Sequence, residues 1–216
     1  MKTGLDSSLV EHDDIVGNLL PSDLVCYTDG SASPNPGPAG AGASIFSLSD
    51  SYVIDLGLAI GFSTNNLGEL VAIGIVLREL LSRSQADHKP TRVFLFTYSL
   101  YASNAVLSTK LPNTHSDTIR ALRALLVQVS RFYSISFHWI RGHTDVGGNE
   151  RADRIAKAYA SLSVGIPTYN FTLSFVAHRT VSHWPFGLTS VFVSVAQGLL
   201  ACGSSECQRS IMTLSI

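Results

Sequence analysis

Leu24-Val25-Cys26-Tyr27-Thr28-Asp29-Gly30-Ser31 is the stretch on which the fold turns. Its first five residues are mostly apolar without alternation, the pattern of a strand covered on both faces and therefore central in its sheet. It ends on an acid, and in open α/β sheets the ligand crevice lies beyond the carboxyl ends of parallel strands. Downstream, Ser33-Pro34-Asn35-Pro36-Gly37-Pro38 is a loop by its proline and glycine content. Residues 43–48 and 52–60 form two strands around the turn at Ser49-Asp50-Ser51, which makes a three-stranded meander. From Asn66 the period becomes helical, with Ile73, Val76, Leu77, Leu80 and Leu81 on one face and Glu69 on the same inward stripe. Residues 92–97 (RVFLFT) are a strand reached through a helix and so parallel to the first. A short helix over residues 99–108 follows, then a longer one marked by Ile119, Leu122, Leu125, Leu126 and Val129. Ile135, Phe137 and Trp139 alternate as a half-buried strand, and Ala152, Ile155, Ala156 and Tyr159 give a last helix after a glycine-rich loop. The order β-β-β-α-β-α-α-β-α predicts an α/β fold, a mixed sheet with helices on both faces.

A length of 216 residues suits one domain with extensions. We expect a leader over residues 1–20, the domain over 21–162 and a tail over 163–216. Charged residues are 14% against a typical value of about 25%, while 45% are hydrophobic, so there is material for a core and wholesale disorder is excluded. Fifteen basic against sixteen acidic residues leave no polybasic tail to advertise nucleic acid. Three cysteines are too few for a disulfide framework, and the first twenty residues have neither a basic start nor an apolar run. The expectation is an intracellular protein of nucleus or cytoplasm, not a secreted one. Residues 180–205 carry no Asp, Glu, Lys or Arg, but Pro185, Gly187, Gln197 and Gly198 interrupt the run, so strands or a helix packed on the domain are favoured over a membrane span. In that tail His178, His183, Cys202 and Cys207 are side chains suited to Zn²⁺, at a spacing that matches no standard pattern.

Each acid has a structural reading of its own. Asp29 before Gly30 is a common turn pair. Asn66-x-x-Glu69 has the form of a capping box, and Asp153 near the start of its helix suits the helix dipole. Together they read differently. Carboxylates gathered at one sheet edge repel unless cations neutralise them, and oxygen clusters of this kind suit Mg²⁺ or Mn²⁺, which makes paired-metal hydrolysis of phosphodiesters the matching chemistry.

At this point the chain resembles the type 1 ribonuclease H family. The matching blocks are Tyr27-Thr28-Asp29-Gly30-Ser31 with Asn35-Pro36-Gly37-Pro38, then Thr64-Asn65-Asn66-x-x-Glu69-Leu70, Trp139-x-Arg141-Gly142-His143, and Gly148-Asn149-Glu150-Arg151-Ala152-Asp153. The resemblance covers residues 24–161, with a flavour of the domains attached to retroelement polyproteins. It implies a ribonuclease H-like five-stranded mixed sheet in the order 3-2-1-4-5. It implies endonucleolytic cleavage of the RNA strand of RNA–DNA hybrids with two Mg²⁺ ions, for which Mn²⁺ can substitute. Asp29, Glu69 and Asp153 match three of four metal-holding acids. His143 matches a loop histidine that helps the leaving group depart, and Asn35, Asn65 and Asn66 match positions lining the hybrid groove.

Two departures qualify that expectation. Where the family pattern places the fourth acid, this chain has Tyr98, neutral at physiological pH and a poor Mg²⁺ ligand, so weakened cleavage is expected. Residues 21–162 hold twelve Lys or Arg and eleven Asp or Glu, a net of +1, so affinity for a polyanion calls for a tethering domain or partner. The alternative reading is a catalytically inactive hybrid-binding protein or scaffold derived from a ribonuclease H. A membrane-tethered protein is a weaker third.

Overall fold

The computed structural model describes residues 7–47, 52–84, 91–141, 146–165, 177–183 and 191–194. After a helix α1 (Ser7–Gly17) come β1 (Leu24–Ala32), β2 (Gly37–Ser47), β3 (Tyr52–Ser63), α2 (Asn65–Arg83), β4 (Thr91–Thr97), α3 (Leu100–Leu107) and α4 (Ser116–Val129). The chain continues through β5 (Tyr133–Trp139), α5 (Gly147–Leu162), β6 (His178–His183) and β7 (Val191–Ser194). The sheet runs β5-β4-β1-β2-β3-β6-β7. Its first five strands are the expected order read in reverse, with β1 central, parallel to β4 and antiparallel to β2. The last two lie in what composition alone left as a tail.

Alternation along β1 sends its side chains to two separate cores. Leu24 and Cys26 point into the larger core with Ile45, Ile54 and Leu95 and the apolar faces of α2 and α4. Val25 and Tyr27 point the other way, where Phe96, Ile140, Val146 and Ala152 of α5 meet Phe94 and Tyr98 and, from the N-terminal segment, Ile15 and Leu19. α1 therefore docks on the α5 face. Its anchor is the buried His12, whose Nε2 is 2.9 Å from the Tyr27 hydroxyl and whose ring meets Phe96 edge-on at 4.9 Å.

Candidate functional site

The site is assembled by close approach of backbones. β1 and β4 pair in parallel up to Thr28 and Thr97, so Asp29 and Tyr98 are the next residues at adjacent strand ends. Asp29 continues the Val25–Tyr27 face, and Tyr98 packs in the same small core. Glu69 reaches Asp29 because α2 lies directly on Gly30: a Cβ there would stand 2.2 Å from the Glu69 amide nitrogen. Asp153 is placed from the other face in the same way. Gly42 is the cross-strand partner of Asp29, and a Cβ on it would stand 2.3 Å from the Ala152 carbonyl oxygen. Only glycine at these two positions lets α2 and α5 settle with their acids at one end of β1.

Burial and mutual repulsion dominate the electrostatics. Asp29 and Glu69 are both buried. Removal from water pushes the Asp29 carboxyl up to about 7, with the Asp153 charge adding to the rise and hydrogen bonds from Glu69 and the Gly30 amide opposing it. Glu69 is held well above the carboxylate range, first by burial and then by Asp29. Asp29 Oδ1 accepts from the Gly30 amide at 3.0 Å, whereas Glu69 Oε2 is buried with no hydrogen-bond partner. Asp153 stands well past the first turn of α5, and its Oδ2 accepts from the Lys157 ammonium at 2.7 Å.

Among the described residues no group of three or more His, Cys, Asp or Glu side chains stands preassembled for a metal. The donor set nevertheless suits a divalent cation. It offers carboxylate oxygens, one of them buried and unpartnered, in the place where burial and like charge oppose ionisation.

The remaining candidates divide. Asn35 Oδ1 accepts from the Asn65 amide at 3.1 Å, tying the loop after β1 to the start of α2, and Asn66 is exposed beside them. The helix is capped by Thr64, whose side chain accepts from the Leu67 amide, so Asn66 is not the capping residue the spacing suggested. The Tyr98 carbonyl accepts from the Trp139 indole at 3.0 Å, which binds the end of β4 to β5. His143 lies outside the described residues, as do Cys202 and Cys207 of the tail, while His178 and His183 are on β6.

Three residues escaped sequence reasoning. Lys157 could have been found as an i, i+4 partner of Asp153. His12 carries no local signal, and the fully buried Asn149 sits inside the block from Gly148 to Asp153 with no sign of its burial. A groove of about 520 Å³ between α1 and β4–β5 is lined by Glu11, Asp14, Arg92 and His138 among others, and by none of the candidate acids.

The family model described as RNase H matches residues 21–161. A ribonuclease H of Nitratidesulfovibrio vulgaris is 33% identical over 64% of this chain and 90% of its own length. One from Polaromonas naphthalenivorans is 34% identical over 67% and 91%. Among solved structures, RNase H1 from the halophilic archaeon Halobacterium salinarum aligns with a TM-score of 0.51 at 24% identity, covering 64% of this chain and 98% of that one. A second RNase H1, solved in complex with an RNA/DNA hybrid, aligns with a TM-score of 0.51 at 23% identity over 66% of this chain and all of its own. No helix among the described residues is long and apolar enough to cross a membrane.

Proposed function

The chain belongs to the RNase H family, and from that premise we propose that it hydrolyses the RNA strand of RNA–DNA hybrids endonucleolytically, at a rate reduced by Tyr98. The observation that carries this reading is the convergence of Asp29, Glu69 and Asp153 on the end of β1, with Glu69 Oε2 buried and unpartnered.

Asp29, Glu69 and Asp153 would hold Mg²⁺ or Mn²⁺, and no described residue supplies the fourth carboxylate. When bound, divalent ions polarise the scissile phosphodiester and provide a nucleophilic water near neutral pH. The residues themselves orient the substrate and move protons. Asn35, Asn65 and Asn66, on the loop and helix start that Asn35 ties together, offer amides to the 2′-hydroxyls and backbone of the hybrid. His143 would pass a proton to the leaving oxygen, a task that suits a group titrating near neutrality. Tyr98 keeps its ring in the apolar cluster with Val25, Tyr27 and Phe96, so it adds no charge where the transition state gathers it. With a domain charge near zero, a tether or partner supplies the affinity that counterion release does not.

Single-turnover cleavage of a labelled RNA–DNA hybrid tests this, using Mg²⁺ and Mn²⁺ and comparing the chain with Tyr98→Asp and Asp29→Asn. Tyr98→Asp is expected to gain about 10²–10³ in rate, the worth of one well-placed electrostatic contact, and Asp29→Asn to be dead. Robust, equal rates for the chain and Tyr98→Asp would show that the fourth acid is dispensable. The packing of Tyr98 also favours a second reading, a hybrid-binding protein without chemistry. Tight hybrid binding with no cleavage by either protein would select it.

A further inference from the structure

We propose that α1, which lies outside the residues 21–161 matched by the family model, is a built-in brace of the site: His12 holds the Tyr27 ring as the seat on which α5 starts, and so positions Asp153. The effect on cleavage rests on the reading above, whereas the brace itself does not.

No side-chain cap fixes the start of α5, because its N-cap residue Val146 makes no side-chain hydrogen bond to the first turn. The first turn rests on Tyr27 instead: a Cβ at Gly148 would stand 2.2 Å from Tyr27 Cε2 and 2.4 Å from Cδ2. Where that ring stands decides where Gly148 stands, and Asp153 follows a little over one turn later on the same helix. Phe96, stacked on the ring at 5.4 Å, and Phe46, edge-on at 5.7 Å, set its tilt. The directional contact is at the hydroxyl. Tyr27 is 6% exposed, so an unpaired hydroxyl there would cost free energy, and its partner is His12 Nε2 at 2.9 Å. Asp13 accepts from His12 Nδ1 at 3.0 Å, which leaves Nε2 to face the hydroxyl while the ring edge meets Phe96. The block around Tyr27 thus finds its last partner in a segment that the family model does not reach. Other holds on α1 are modest: Ile15 packs on the small core, and Glu11 lies 2.8 Å from His138 beside the groove of about 520 Å³. No described residue of α1 enters the larger core, so undocking α1 loosens the α5 side of the sheet and leaves the α2 side packed.

Amide hydrogen exchange of the full chain, beside single-turnover cleavage and binding of an RNA–DNA hybrid, tests the proposal on His12→Ala, His12→Gln, Tyr27→Phe and the double variant His12→Ala with Tyr27→Phe. His12→Ala and Tyr27→Phe should each speed exchange at the α5 amides of residues 151–153 about tenfold, the worth of one buried hydrogen bond, and leave the α2 amides of residues 70–77 unchanged. The double variant should lose no more than either single one, since both remove the same bond. His12→Gln, whose amide oxygen can still accept from the hydroxyl, should keep the parent exchange. Cleavage should slow about tenfold in the same variants, with affinity for the hybrid unaltered. If His12→Ala does not fold, Tyr27→Phe against His12→Gln still decides the point. Exchange that stays unchanged in α5, or that rises equally in α5 and α2, would overturn the proposal and leave the hybrid-cleavage reading standing. Faster exchange in α5 with cleavage at the parent rate would overturn the positioning of Asp153. Faster exchange in α5 alone, with no cleavage by any of the proteins including the parent, would uphold the brace and sink the hybrid-cleavage reading.

Discussion

Asp23 stands just ahead of the central strand and ties two parts of the chain together. Its buried carboxylate accepts from the Leu20 amide at 2.7 Å and from Arg92 of β4, whose Nε lies 2.9 Å from Oδ1. Burial alone would raise its pKa, but Arg92 and the Leu20 amide outweigh it and hold the carboxyl below the ordinary range. A carboxyl depressed in the folded state contributes stability that is present above its unfolded value and is lost as pH falls through the folded one. Asp23→Asn should therefore lower the unfolding temperature at pH 7 and lose less than the parent on acidification below about pH 4. Equal losses in the two proteins by circular dichroism would contradict this. Asn149 is the opposite case, a fully buried carboxamide whose oxygen and nitrogen both lack a hydrogen-bond partner. Asn149→Leu removes an unpaired polar group of similar shape, and the expected outcome is a gain of about 1 kcal/mol in urea unfolding. A loss of that size would show that the amide is satisfied in solution.

Among the elements, α5 depends most on what is missing beneath it. Its backbone rests on Gly42, where an added Cβ would meet the Ala152 oxygen and the Ala156 nitrogen at 2.3 and 2.4 Å. Both atoms are backbone, so no side chain can swing aside. Gly42→Ala should cost about 2–3 kcal/mol through overpacking and shift Asp153 away from Asp29, checked by chemical denaturation beside Mn²⁺ affinity. Most of this level was legible in the sequence. The unbroken apolar run of β1 and the helical stripe of α2 predicted their elements because pattern and burial agree there, whereas the alternation in β5 found the strand although Trp139 is exposed and only Tyr133 is buried. Asp29 was legible as the residue that follows the apolar run of β1, whereas Asp153 lies further into α5 than the sequence placed it. The swing of Asp153 toward Lys157 was not legible, because it depends on rotamers. α1 escaped for another reason: its anchor is His12, a polar side chain that packs on aromatic rings, and hydrophobic periodicity cannot register it.

At the scale of the whole molecule, the sheet does not stop at β3. β6 pairs antiparallel with it from Tyr52–His183 to Gly57–His178. It is gripped from both faces: Arg179 donates to Glu79 of α2 at 2.9 Å, and Ser182 accepts from Arg151 of α5, which also holds Asp55 of β3 through two bonds of 2.7 Å. The sequence HRTVSH offers little alternation of its own. Its strand character comes from the partner edge and the two arginines, a tertiary cause that local propensity does not contain. Residues 21–162 on their own should accordingly unfold at lower temperature than residues 1–194 and self-associate through the bared β3 edge, measured by calorimetry and light scattering. A monomer of equal stability would refute that dependence.

The late position of β6 also bears on synthesis. Strands β1 to β3 leave the ribosome ahead of the other strands as a contiguous meander, but the segment that covers β3 emerges more than a hundred residues later. Through that interval the nascent chain presents an open strand edge to every neighbouring polysome. The twelve-residue β3 is shielded meanwhile only by what it carries itself, chiefly the Asp55 carboxylate on one face. Slowing translation between residues 63 and 178 should lengthen this exposure and lower the yield of correctly folded chain, a loss to be read as soluble protein from slow- and fast-codon versions of that stretch.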